Sequence, residues 1–447
     1  MAPPTYVERG FQEKLKTGAV FLDLTAAYDT VWIDGLVTKL TRIIKCKHTL
    51  KLFKNLLTNR KNRVVMNGKQ SRRVSLRDGL PQGSVLAPSH FNIFIADIPD
   101  IKSRKFAYAD DLAIAFQSKS FDELEKTLNA DLATLHEYYN TWHLIPNPNK
   151  TVCSTMHLNN RAACRKLNIT LNGHIIRHED SPKYLGVTLD RTLSYGKHLE
   201  NTKQKLKTRN SILRKLAGST WGSGANTLRM SALALVYSTA EYCAPVWSRS
   251  PHVSKVDVQL NDTMRIITGS LRATPTEWLP VLANIEPPKI RRNKLNAQYI
   301  KKIYGNLDLP IHRDIITRNR LKSRKPLWTV KEELQDFDQK REWQNLWINS
   351  NCKNKWLVED PTRRIKGFCL PRRLWVSLNR VRTGVGRCRS FLVKWGMRAD
   401  PMCDCGHIQD MDHLLNCEVF GFDGNLEEVH ELKDAALKWL EAISCVV

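Results

Sequence analysis

Two aspartates stand side by side inside an apolar run, Asp110 and Asp111 in KFAYADDLAIAF, residues 105–116. Adjacent carboxylates repel one another, and each resists losing its water. A chain that keeps both among residues that favour burial has two ways to satisfy them. One is a surface hairpin turn, where aspartate is common. The other is a divalent cation that holds the negative charge in place. A second carboxylate sharpens the choice: in AVFLDLTAAYDTVW, Asp23 closes an apolar strand where burial without a partner is costly. If the two strands are neighbours in one sheet, Asp23 faces Asp110 and Asp111 across a small gap. Three carboxylates there are hard oxygen ligands suited to Mg²⁺. Two such ions, about 3.5–4 Å apart, activate a 3′-hydroxyl and stabilise a pyrophosphate leaving group.

Charge points the same way. Lysine and arginine total 70 against 44 aspartates and glutamates, a formal net charge of +26. An excess this large implies a polyanionic partner, nucleic acid first among them. The 11 cysteines are scattered apart from one terminal cluster, which implies free thiols and one metal site in a reducing compartment rather than a disulfide framework. No apolar run approaches the length of a membrane helix. The opening MAPPTYVERGFQEK has no apolar signal core. Both features imply an intracellular protein, in the nucleus, the cytoplasm or both, with no membrane partner.

At 447 residues the chain suits two or three domains. Residues 1–193 alternate strand and helix patterns, an α+β layer with a sheet backed by helices. IDGLVTKLTRIIK is an amphipathic helix with Leu36, Leu40, Ile43 and Ile44 on one face. In RRVSLRDGLPQGSVLAPSHFNIFIADI a strand and a Gly/Pro turn lead into a helix with Pro88 in its first turn. A long helix follows Ser120, with Glu123 completing a capping box and Leu124, Leu128, Leu132 and Leu135 forming the apolar face. Residues 194–288 are helical and begin with a basic helix. Its seam is Leu199, Leu206, Leu213 and Leu216, flanked by Lys203, Lys207 and Arg214 among other cations. Residues 289–400 are basic and rich in tryptophan. Residues 401–447 carry Cys403, Cys405, His413 and Cys417. Cys403-x-Cys405 is followed by Gly406, and His413 and Cys417 share a helical face. Four nitrogen and sulfur ligands of this kind suit a closed tetrahedral Zn²⁺ site. His407 lies too close to Cys405 to complete it easily.

Five blocks in order, FLDLTAAYDTVW, GLPQGSVLAPSHFNIFIADIP, FAYADDLAIAF, NPNKT and YLGVTLD, resemble the palm of a reverse transcriptase from non-LTR (LINE-type) retrotransposons, most like the Jockey-type elements. AEYCAPVW, LPRRLWVSLNRVRTG and CDCGHIQDMDHLLNC resemble the downstream part of such a reading frame. The resemblance implies a right-hand polymerase palm followed by a helical thumb, and an RNA-directed DNA polymerase that extends a DNA primer on an RNA template with dNTPs. Asp23 and Asp110 would hold two Mg²⁺ ions, or Mn²⁺ in their place, with Asp111 in support. Tyr28 would be the aromatic gate against a ribose 2′-hydroxyl. Gln82 and Gly83 would pack on the incoming nucleotide and template base. Lys150 would donate a proton to pyrophosphate. Tyr184, Leu185 and Gly186 would position the primer end, and Lys203, Lys207 and Arg214 would track nucleic-acid phosphates. The Cys-x-Cys spacing departs from the retroviral zinc knuckle but resembles the C-terminal motif of these elements, where the zinc is structural. The family's fingers and endonuclease lie upstream of Asp23, so an N-terminally truncated copy with a largely missing fingers region is expected. Arg72, Arg73 and Arg77 follow the first motif and do not replace the triphosphate clamp by position. The alternative is a truncated, catalytically inactive nucleic-acid-binding remnant. A metal-dependent nuclease is a third reading, for which the LPQGS and YLGVTLD blocks have no evident use.

Overall fold

The computed structural model describes residues 2–159, 165–316 and 319–444. They divide into two units, Met1–Tyr195 with Pro310–Arg324, and Gly196–Leu309 with Lys325–Val447.

The first unit opens with helix α1 (Ala2–Gln12) and strand β1 (Lys16–Leu22). Helices α2 (Ile33–Ile43) and α3 (Lys47–Leu57) follow. Next comes a ribbon of short strands, β2 (Arg60–Asn62), β3 (Val65–Met66), β4 (Lys69–Gln70) and β5 (Val74–Leu76). Pro88 stands in the first turn of α4 (Ala87–Ile95), where its missing N–H removes no helical bond. Then come hairpin β6 (Arg104–Tyr108) and β7 (Asp111–Ser118), helix α5 (Phe121–Thr141), β8 (Val152–Met156) and β9 (Arg177–His178). A small hairpin, β10 (Lys183–Tyr184) and β11 (Val187–Thr188), completes the set.

The main sheet runs β9-β8-β1-β7-β6, antiparallel except where β9 joins β8. β1 is therefore its middle strand. Val20 and Leu22 of β1 and Ile114 of β7 turn inward to a core shared with α5, α4 and α2. Leu124, Leu128, Leu132 and Leu135 are all buried, a gross gain of about 6–12 kcal/mol at about 1.5–3 kcal/mol per leucine. Gly18 lets α5 come close, since a Cβ there would lie 2.9 Å from Leu128 Cδ1. This is the expected sheet backed by helices. Two details differ. Glu123 bonds to Ser118 Oγ rather than capping through Ser120, whose own N–H donates to Ser118 Oγ at 3.0 Å. The buried stripe of α2 stops at Leu40, and Ile43 is 59% exposed.

The second unit is helical. α6 (Gly196–Leu216) buries Leu199, Leu206 and Leu213, while Leu216 reaches the surface at its end. Helix α7 (Ser254–Thr268) ends at Gly269 with φ 70°. A Cβ at Gly269 would meet Val376 Cγ2 at 2.2 Å, so glycine is required both by conformation and by space. Val376 belongs to α8 (Arg372–Thr383), whose buried polar side chains close the C-terminus of α7. Arg372 donates to the carbonyls of Gly218, Ile266 and Ile267 at 2.9, 2.7 and 2.5 Å. Asn379 donates to Thr268 O at 2.9 Å and Arg380 to Gly269 O at 3.3 Å. The carbonyls of Ile266, Ile267 and Thr268 are among those the end of α7 leaves without intrahelical partners. A core of Trp278, Trp347, Trp375, Leu414 and Trp439 reaches α9 (Asp434–Ile443). The sequence divisions at 288 and 400 fall inside this core. Among the described residues no helix is long and apolar enough to cross a membrane.

Candidate active site and cysteine-histidine cluster

Strand register brings the carboxylates together. Leu22 pairs with Leu112 on one side of β1, and Phe21 pairs with Val152 on the other. Extending the register by one residue past Leu22–Leu112, and by two past Phe21–Val152, brings Asp23 opposite Asp111 and Lys150. Asp110 sits at the tip of the β6–β7 hairpin, where Tyr108 pairs with Asp111 and Ala109 takes φ 51°. A positive φ is uncommon for alanine and marks a constrained turn.

The NPNKT turn holds Asp23 in place. The Asp23 carbonyl accepts from Asn147 N at 2.8 Å, and its N–H donates to Thr151 Oγ1 at 3.3 Å. Asn147 Oδ1 in turn accepts from the N–H groups of Asn149 and Lys150, an Asx turn that fixes the lysine. Lys150 Nζ stands 3.9 Å from Asp23 Oδ2, a buried atom with no hydrogen-bond partner among the described residues. The Asp111 carboxyl is pushed above its usual range by partial burial and then by the charges of Asp110 and Asp23. A buried orphaned carboxylate oxygen and a mutually repelling acidic group are what a cation would relieve.

Tyr28 stacks on Phe91 with ring centres 4.7 Å apart. Its hydroxyl pKa is raised by burial and by Asp110 and Tyr108, which places the ring beside the hairpin tip. Gln82 donates from Nε2 to Asp29 Oδ1 at 2.7 Å. Gly83 has φ 84° with open space where a side chain would go, so it is there for its conformation. Gln82 and Asp29 line a cleft of about 610 Å³ together with Arg60 and Lys61. Leu185 and Gly186, at φ 45° and 79°, form the two-residue tip between β10 and β11, a turn that needs positive φ at both positions. Tyr184 packs 5.7 Å from Phe21 and donates its hydroxyl to Phe106 O at 3.1 Å. Burial, and then the charge of Asp111, pushes its pKa up to about 12. Asp23, Asp110, Asp111, Lys150, Tyr28 and Tyr184 thus gather at one end of the sheet. Asp29 and Thr151 are polar partners that sequence reasoning did not single out. Their role depends on loop geometry, and no local pattern announces it.

The basic helix is more committed internally than its composition suggests. Lys203 pairs with Glu200 at 3.0 Å and Arg214 with Asp262. Lys207 is exposed and has no ion pair among the described residues. Of the three cations singled out for phosphate contact, it is the one whose charge the fold leaves uncompensated.

Near the C-terminus, the ligand atoms of Cys403, Cys405, His413 and Cys417 all lie within 4.8 Å of one another. Among the described residues this is the one group of three or more metal-ligating side chains found so close together. Cys403 Sγ and Cys405 Sγ are each 3.7 Å from Cys417 Sγ, and Cys405 Sγ is 3.2 Å from His413 Nε2. Two thiolates about 2.3 Å from one tetrahedral ion lie about 3.8 Å apart. The turn is set by Cys403 N donating to His407 O at 2.7 Å and by Gly406 at φ 86°. Buried Gln409 donates to Cys403 Sγ at 3.6 Å, a partner the sequence did not reveal. Burial opposes ionisation of the Cys403 thiol, but hydrogen bonds from the Cys405 backbone, His413 and Gln409 outweigh it and lower its pKa.

Residues 4–189 match the family described as reverse transcriptase (RNA-dependent DNA polymerase). The chain is 30% identical over 279 residues to the probable RNA-directed DNA polymerase from transposon BS of Drosophila melanogaster, covering 59% of this chain and 30% of that protein. It is 30% identical over 267 residues to the RNA-directed DNA polymerase from mobile element jockey of the same species, covering 56% and 28%. A Pol polyprotein from type-1 retrotransposable element R1 4 of Nasonia vitripennis is 27% identical over 335 residues, covering 70% of this chain and 83% of that protein. The chain therefore spans under a third of the length of the two Drosophila relatives.

Proposed function

We propose that this chain is an RNA-directed DNA polymerase of the kind carried by Jockey-like non-LTR elements, a reading supported by the reverse transcriptase family match over residues 4–189 and by the likeness to the jockey polymerase. It would transfer a nucleotidyl group from a dNTP to the 3′-hydroxyl of a DNA primer on an RNA template. The observation that carries the proposal is the register that sets Asp23 opposite Asp111 and Lys150, with Asp110 at the adjoining hairpin tip.

Asp23 and Asp110, with Asp111 in support, would hold two divalent cations, Mg²⁺ or Mn²⁺. When bound, these supply charge stabilisation to the attacking and leaving oxygens. The other roles fall to the chain's own residues. Lys150, held by the Asx turn, is placed to give a proton to departing pyrophosphate. The Tyr28 ring, braced by Phe91, is the gate against a 2′-hydroxyl. Gln82, oriented by Asp29, and Gly83 face the incoming nucleotide and template base. The Tyr184–Gly186 tip, anchored on Phe106 O, steadies the primer end. In the helical unit, α6 is assigned the thumb role, with Lys207 as its phosphate contact. We assign Zn²⁺ to Cys403, Cys405, His413 and Cys417, as a structural ion for this end of the chain.

Primer extension on poly(rA)/oligo(dT) with dTTP and Mg²⁺ tests the proposal. Extension by the chain that disappears in Asp110→Asn supports it. No extension by either, with RNA still bound, sinks the polymerase reading and leaves a binding-only chain.

A further inference from the structure

From Lys61 to Ser75 every residue is exposed. Between Arg60 and Arg77 there are seven lysines and arginines and no carboxylate. The segment is nevertheless ordered as a ribbon, with Asn67 and Gly68 at φ 50° and 75° forming the turn at its far end.

The register within the ribbon changes partway along. At its base Arg60, Lys61 and Asn62 pair with Leu76, Ser75 and Val74. Nearer the tip Val65 pairs with Gln70 and Met66 with Lys69. The two pairings differ by one residue, so one strand carries an extra residue between them. Val64 is tied to Ser71 by backbone N–H to Oγ and by Ser71 N–H to Val64 O, both at 2.9 Å. The bulge therefore sets Arg63 against both Arg72 and Arg73. Like charges opposite one another destabilise a strand pair, and bulges re-aim the side chains around them. Among the described residues none of the three has an ion pair; the Arg63 guanidinium donates to Gln70 Oε1. Beyond the bulge, Val64, Val65 and Met66 are 68%, 59% and 72% exposed. The base of the ribbon, Arg60 to Asn62, lines the same cleft as Gln82 and Asp29.

We propose that the β2–β5 ribbon is an arm that grips the unpaired template strand, its arginine bulge on the phosphates and its Val64–Met66 tip against exposed bases. An arginine triad without an anion is relieved by a polyanion. Exposed apolar side chains find a partner in unstacked bases, which a paired duplex does not offer. The choice of template over primer rests on the polymerase reading, in which Gln82 at the ribbon's base faces the templating position.

The test measures binding of the full chain to an RNA–DNA primer-template, with and without an unpaired 5′ RNA extension, across a salt series. The variant replaces Arg63, Lys69, Arg72 and Arg73 with Gln. The expected result is that the extension tightens binding by the parent chain and that the variant loses this gain, about 10- to 100-fold at 0.1 M salt. Its salt slope should fall by about 3, at about 0.7 per single-strand phosphate contact. A variant that keeps the full gain and slope overturns the arm. An equal loss on the blunt duplex overturns the assignment to unpaired template. A matching melting temperature confirms that the variant is folded. Extension by the parent chain is scored separately, so failure of the polymerase reading with the binding pattern intact would leave the arm standing as an RNA contact.

Discussion

Lost water, Asp110 and Asp23 all push the Asp111 carboxyl the same way, toward holding its proton. The folded chain therefore binds this proton more tightly than the unfolded chain. Stability falls as pH rises from the ordinary carboxylate value through the raised one, and the cost remains at neutral pH. Asp111→Asn should raise the melting temperature at pH 7 by about 1–3 °C while abolishing extension, and should leave the melting temperature near pH 3 unchanged. Millimolar Mg²⁺ should stabilise the parent chain and not the variant in the same thermal scan. An unchanged melting temperature at pH 7 would remove the electrostatic account of this site. At Tyr28 the ring, not the hydroxyl, is braced. Tyr28→Phe should keep discrimination against ribonucleotides, and Tyr28→Ala should lose it by about tenfold or more, about 1.4 kcal/mol. Competition between dTTP and UTP in single-nucleotide extension measures both.

Elements were legible where the signal is local. The α5 leucines and the β6–β7 hairpin follow from spacing within a dozen residues, and the structure keeps them. Partners distant in sequence were not. Nothing near Arg214 announces Asp262, and nothing near Gln82 announces Asp29. Even a local capping pattern gave way when the Ser118 hydroxyl donated to Glu123 and accepted the Ser120 N–H that the capping box would have used. The closure of α7 by α8 is of the same long-range kind. Burial holds the Arg372 guanidinium pKa down to about 10, and its bonds are to three carbonyls. Arg372→Ala should cost about 2–4 kcal/mol in urea unfolding. Arg372→Lys should recover little, because one ammonium cannot reproduce a planar fork reaching three acceptors. Full recovery by lysine would show that charge rather than geometry closes the helix.

Over the whole molecule, composition pointed to a polyanion but could not show which cations are already spent. Ion pairs within the helical unit claim Lys203 and Arg214, whereas the ribbon's arginines have no ionic partner among the described residues. The cysteine-histidine cluster joins the tryptophan-rich core of the second unit through Met411 and Leu414. Purified chain should carry about one zinc per molecule by elemental analysis. Chelation, or Cys403→Ser, should speed hydrogen exchange in 401–443 and around Trp375. Exchange in β1 and α5 should stay as it was. Uniform exchange with and without chelator would sink the structural role.

The segment Pro310–Arg324 belongs to the first unit although more than a hundred residues of the second precede it. Asp314 bonds Arg9 and pairs with Arg104, Arg324 pairs with Glu8, and Gln12 bonds Asn319 and the backbone of Arg320. During synthesis, α1 therefore emerges long before its partners exist. A nascent chain made as far as Tyr195 contains the sheet and its helices but not the stretch that ties down Glu8, Arg9 and Gln12. Order of translation and order of completion part company here: the first unit cannot be finished until more than a hundred residues of the second have been made.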